Sequence, residues 1–204
     1  MNSKFRKKVI VAAISIVWFL VVVQCLKYLN GINNKRNEDE TSAMKKETYH
    51  RIADLVGITT DKQWFIDDPA RYYNDNSEMF MERCIEEDDD EDTIIWISIV
   101  DEMILENKAW EFDWKAELED FTYGMEQILP DGLTVNEDSL NEDDSIPDWT
   151  ESINSEWANS GYVIACFDID SDSYVIFVCK KDIFEQLQAE AVKVDHKIDI
   201  PQNL

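Results

Sequence analysis

The densest apolar patterning in the chain lies at residues 161–179, GYVIACFDIDSDSYVIFVC. Two runs of aromatic and β-branched residues, 162–167 and 174–179, flank the polar segment 168–173, which predicts a β-hairpin. Both runs are apolar at nearly every position, so both faces of the hairpin are expected to be covered, as in a central strand pair with helices packed on the sheet. Further upstream, Ile95, Ile99, Met103 and Ile104 share one helical face, widened by Ile94, Trp96, Ile97 and Val100. Such breadth predicts a core helix lying across the hairpin. Trp110, Phe112 and Trp114 then alternate with Glu111 and Asp113, the period of a half-buried edge strand over 109–115. Leu118, Phe121, Met125, Ile128 and Leu129 return to helical spacing until Pro130, Asp131 and Gly132 break it.

The flanking segments follow the same logic. A helix carrying Ile52, Leu55 and Val56 is expected to be capped by Thr41 or Ser42 and closed by Gly57. Pro69 starts a brief helix through Tyr72 and Tyr73, and Ser77 caps the next, with Phe80, Met81, Cys84 and Ile85 as its stripe. Pro147 opens a helix stacking Trp149, Ile153 and Trp157, which Gly161 ends. Asp182 caps a helix using Ile183, Phe184, Leu187 and Ala191, and Val192, Val194, Ile198 and Ile200 alternate as a last strand. The expected class is α+β: a small antiparallel sheet centred on the 162–179 hairpin and packed with helices, with no internal repeat.

The amino terminus reads differently. Residues 1–8 carry Lys4, Arg6, Lys7 and Lys8, and residues 9–26 are uncharged. Eighteen helical residues span about 27 Å, close to the thickness of a hydrocarbon core. A cleaved signal peptide requires an A-x-A-like site, and none follows the run. A lipoprotein requires a small residue before its cysteine, where Gln24 precedes Cys25. The expectation is an uncleaved transmembrane anchor at 9–26, a linker at 27–46 and an acidic globular α+β domain at 47–204. The early basic residues favour a cytoplasmic amino terminus and an extracytoplasmic body.

Charge narrows the partners. The first 30 residues hold five of the 19 basic residues and none of the 44 acidic ones, so the remainder carries 14 basic against 44 acidic residues, a net −30. Such a body repels nucleic acid and attracts cationic proteins or divalent ions. Seven Trp, seven Tyr and nine Phe keep it from reading as a disordered acidic tail. Only five glycines occur, too few for a phosphate-cradling loop.

Candidate chemistry is sparse. Asp168, Asp170 and Asp172 stand at positions one, three and five of a calcium loop, but Ser173 and Cys179 replace its glycine and its glutamate. A solvated hairpin turn built from Asp and Ser competes with that reading. The acidic run 86–92 is either a weak calcium collector or a solvated loop that resists helix formation. Trp110, Phe112 and Trp114 either line a ligand groove or pack on helices. With the hairpin centred near Ser171 and Asp172, Cys166 and Cys179 share a face; a disulfide and two buried thiols are both open to them. No C-x-x-C pair supports structural zinc. His50 and His196 sit at opposite ends of the domain and outside any nucleophile motif, so a catalytic role is not expected.

The segment GYVIACFDIDSDSYVIFVC followed by KKDIFEQLQAEA resembles the carboxy-terminal part of a small bacterial domain family of unknown function, in which a strand, a D-S-D-[SW] turn, a strand and a helix follow in order. That resemblance implies a fold rather than an activity. In composition, a compact acidic tryptophan-rich α+β domain also resembles the immunity proteins of bacterial toxin systems, which bind and neutralise a toxin. Together these readings lead to a membrane-anchored acidic module that engages a basic protein partner. A calcium-responsive envelope protein and an uncharacterised hydrolase are the alternatives.

Overall fold

The computed structural model describes residues 24, 27, 28, 31, 35–37, 40–87 and 89–204. The chain divides into two units, 1–44 and 45–204. In the first, every described residue is helical and exposed, including those of the expected linker. Thr41 therefore does not cap a helix: its hydroxyl donates to the Asn37 carbonyl at 2.8 Å, a bond made within a helical turn. The expected membrane span at 9–26 lies, apart from Gln24, outside the described residues. Among the described residues no helix is long and apolar enough to cross a membrane.

The second unit is built on a four-stranded antiparallel sheet in the order β1-β3-β2-β4, where β1 is Ala109–Asp113, β2 Tyr162–Phe167, β3 Ser173–Lys180 and β4 Ile198–Asp199. The predicted hairpin is thus the central pair. Its side chains alternate between two cores, one on each face. Ala165, Phe167, Val175 and Phe177 point into the first core, and Ile164, Cys166 and Ile176 into the second. Two-sided burial explains why both strands read as unbroken apolar runs.

The first core is closed by α1 (45–55), α2 (Trp64–Asp67), α3 (Pro69–Asp75), α4 (Ser77–Glu82), α5 (Glu91–Leu105) and α8 (Lys181–Ala191). As expected, α5 lies on the hairpin: the Trp96 ring meets Phe167 at 5.1 Å, and its indole N–H donates to the Asp168 carbonyl at 2.7 Å. The acidic run does not remain a loop throughout. Asp90 caps α5 by accepting from the Asp92 amide at 3.2 Å, and Glu91 and Asp92 occupy its first turn. There they face the positive end of the helix dipole, which offsets their mutual repulsion. Asp92 is also paired with Lys45.

The second core is closed by α6 (Leu118–Ile128) and α7 (Ile146–Glu156). Ser145 starts α7, donating its backbone N–H to the Asp148 carboxylate at 3.1 Å. The hydroxyl and amide of Ser145 together hold the Asp148 carboxyl below the usual carboxylate range. The helix ends at Glu156, so Gly161, at φ +81°, closes the turn that leads into β2 rather than the helix itself. Gly57, at φ +80°, does follow α1. Ser77 and Asp182 lie inside the helices they were expected to cap, and residues 192–194 form a 3-10 turn in place of a strand.

The register corrects one pairing. Cys166 lies opposite Ile176 and Cys179 opposite Val163, so the hairpin centres on Ser171 alone. A slip of one residue in the strand register, half a residue at the centre of the turn, moves one thiol to the other face of the sheet. Cys166 consequently belongs to the second core and Cys179 packs against the first; both are free. Burial pushes each thiol up to about 12.

Candidate functional site

The aromatic alternation at 110–114 splits in the structure. Trp110 and Phe112 join the second core, where Phe112 meets Phe121 at 5.2 Å. Trp114 lies one residue past the end of β1 and is 51 % exposed. There it lines an open groove of about 1020 Å³.

The groove has two walls. One is the β1–α6 connection with the outer face of α6, where Glu119, Tyr123 and Glu126 recur at helical spacing opposite the buried Phe121, Met125 and Ile128. The α6 backbone lies close against β1 because Gly124 has no side chain. A Cβ there would stand 2.6 Å from Phe112 Cε1 and Cζ and 2.8 Å from Trp110 Cδ1. The other wall is the long acidic connection before α7, contributing Glu137, Glu142, Asp143 and Asp144. This connection is tied down from beneath by two indoles of the α7 segment. Trp149 donates to the Asn141 carbonyl at 2.7 Å, and Trp157 to the Thr134 carbonyl at 3.2 Å. Buried indoles seek such partners, so the tryptophans expected only as core residues also fix the groove wall.

Seven carboxylates line the groove, those six together with Glu117, against one basic residue, Lys115. The Lys115 ammonium lies over the Trp114 ring at 4.6 Å from its centre, within cation–π range. Tyr123 is 59 % exposed and stands edge-on to Trp110 at 5.8 Å. The arrangement supplies negative potential and two half-exposed aromatic surfaces, and the one hydroxyl of its lining that caps a helix, Ser145, is bonded to the Asp148 carboxylate. Negative potential and exposed aromatic faces both favour cations.

A second hollow, about 320 Å³, lies at the hairpin turn and shares Trp114 with the groove. Asp168 and Asp172 line it, whereas Asp170 does not. Asp168 Oδ1 accepts from the Asp170 amide at 3.1 Å, an Asx-type turn that places Asp170 at φ +53°. Among the described residues no three His, Cys, Asp or Glu side chains are gathered to hold a metal ion.

Two buried polar clusters belong to the scaffold. Arg83 bridges Asp101 at 3.0 Å and Glu111 at 2.6 Å. Burial pushes the Asp101 carboxyl up despite Arg83, and its Oδ2 is left without a hydrogen-bond partner. His196 stacks on Trp96 at 4.3 Å, almost parallel, with its Nε2 buried and without a partner. Burial holds its imidazole below the ordinary value, opposed by the Asp92 backbone carbonyl. His50 makes a 2.8 Å bond with Gln63 Oε1. The two histidines sit in separate environments.

The signal for the groove in the sequence is the 3.6-residue stripe of Glu119, Tyr123 and Glu126 on the polar side of α6. The pairing of that stripe with the acidic connection is a tertiary fact. No curated protein and no solved structure matches the chain. A family model does match, over residues 48–201, which take in the whole sheet, both cores and the groove. The chain therefore belongs to the family described as a domain of unknown function, DUF6630.

Proposed function

We propose that this chain is a binding module whose acidic groove receives a basic segment of a protein partner, with the body held at a membrane by the apolar stretch 9–26. The observation that carries the reading is Trp114. Its indole stands half exposed among seven carboxylates, and the only ammonium in the lining already rests on its ring. Carboxylates crowded in one groove repel one another, and a partner's lysines or arginines relieve that repulsion as they enter. Long-range attraction speeds the encounter, and burial of Trp114 and Tyr123 holds the complex. Surface charges are screened beyond about 8 Å at physiological ionic strength, so binding is salt-sensitive. An inhibitor of the immunity type, which covers a basic toxin, is one form of such a module.

Calorimetry of the full-length chain with a decalysine peptide tests the reading. Affinity is expected to fall as salt rises. The triple variant Glu126→Gln, Glu142→Gln, Asp143→Asn should lose more affinity than Glu78→Gln, Glu82→Gln, Glu87→Gln, which removes the same charge outside the groove. Equal losses from the two triples would mean that diffuse charge, not the groove, attracts the peptide, and would overturn the proposal.

A further inference from the structure

Resting on the groove reading, we infer that the hollow at the hairpin turn is a second subsite for the same partner segment, taking one lysine or arginine side chain. Trp114 lines both cavities, so a chain lying in the groove reaches the hollow by crossing that indole. Trp114 and Tyr174 provide aromatic walls, and Asp168 and Asp172 provide two carboxylates. No residue lining the hollow is basic, so the charge of that pair is not neutralised from within the lining. Aromatic faces receive the apolar stem of a long cationic side chain and attract its head, while carboxylates accept its N–H groups. About 320 Å³ lies at the small end of ligand pockets, suited to one side chain and not to a helix or a strand.

The hollow is also held in shape before any ligand arrives. The Asp168 backbone is fixed on both sides, its carbonyl accepting from the Trp96 indole at 2.7 Å and its amide donating to the Lys197 carbonyl at 3.0 Å. The Asp168 carboxylate is oriented by the Asp170 amide, and the Ser173 amide donates to Ser171 Oγ at 3.0 Å. A pre-ordered pocket loses little conformational freedom on binding. The turn that reads as a calcium-like D-x-D-x-D thus becomes a cation receptor through its first and last acids, with an organic cation as the occupant.

The test uses the full-length chain and the decalysine peptide again, so that the two proposals separate. Asp172→Asn should weaken binding about threefold to tenfold. Asp61→Asn, which removes the same charge at a residue lining neither cavity, should change it far less. Trp114→Leu should weaken binding at least as much as Asp172→Asn, and lysine amide alone should shift the Trp114 indole N–H and the Ser171–Ser173 amides in NMR spectra. If Asp172→Asn matches Asp61→Asn while the groove triple still weakens binding, the subsite is lost and the groove stands. If neither the triple nor Asp172→Asn weakens binding, both proposals fall. If Asp172→Asn weakens binding and the triple does not, the hollow stands as an isolated cation site and the groove reading falls.

Discussion

Gly124 offers the most direct check on how the groove is held. In the middle of α6 a glycine costs about 1 kcal/mol relative to alanine, so on helix propensity alone Gly124→Ala should stabilise the protein. The packing argues the reverse. An added Cβ would lie 2.6 Å from two carbons of the Phe112 ring, roughly 1 Å inside ordinary contact. Phe112 is 3 % exposed, faces Tyr174 across the β1–β3 pair and packs on Phe121, so its ring has nowhere to swing. The helix must lift instead. Overpacking of this kind costs about 1–3 kcal/mol, and the propensity gain recovers part of it, leaving a net loss of about 1 kcal/mol or somewhat more. In a domain of this size that lowers the melting midpoint by about 2–4 °C per kcal/mol. Thermal unfolding of wild type, Gly124→Ala and Gly124→Ala/Phe112→Leu measures it. Leucine, smaller and without a ring, should restore part of the loss beyond what Phe112→Leu costs on its own, a coupling that independent sites do not show. Because Tyr123 and Glu126 ride on the same helix, decalysine affinity should fall with the midpoint. A Gly124→Ala variant as stable as wild type, or more so, would refute the claim that α6 is seated by a missing side chain.

Other perturbations probe the scaffold. Arg83→Met leaves the Asp101 carboxylate, 3 % exposed, without a counter-charge, and should cost about 3 kcal/mol in urea unfolding; Arg83→Met/Asp101→Leu should recover much of it, and a single-variant loss below about 1 kcal/mol would contradict the triad's role. For His196 the folded imidazole titrates below its unfolded value of about 6.5, so its contribution to stability is complete above that pH and is lost as pH falls through it towards the folded value. Melting midpoints between about pH 8 and about pH 5 should therefore decline more steeply in wild type than in His196→Phe, and equal slopes would count against a buried neutral ring.

What the sequence determined on its own is whatever depends on neighbours within one element. The hairpin at 162–180, the edge strand from Ala109 and the core helix over Trp96 are written in local periodicity, and two-sided burial is written in the unbroken apolar runs of β2 and β3. Even there, parity escaped: whether the turn centres on one residue or between two decides which face Cys166 and Cys179 occupy, and no apolar run encodes it when both faces are buried. The end of the acidic run was equally hidden, since seven acids in a row give no period, while their position at the start of α5 turns repulsion into a favourable dipole contact. Trp114 shows the limit most plainly. In sequence it is the third of three alternating aromatics, but β1 ends at Asp113, so it leaves the sheet and enters solvent. The candidate site belongs to the tertiary structure altogether. Its walls come from α6 and from a connection more than ten residues further along, brought together by Gly124 on one side and by two tryptophan indoles on the other. Local pattern specifies which face of an element is buried; only packing between elements decides which exposed faces meet across a groove.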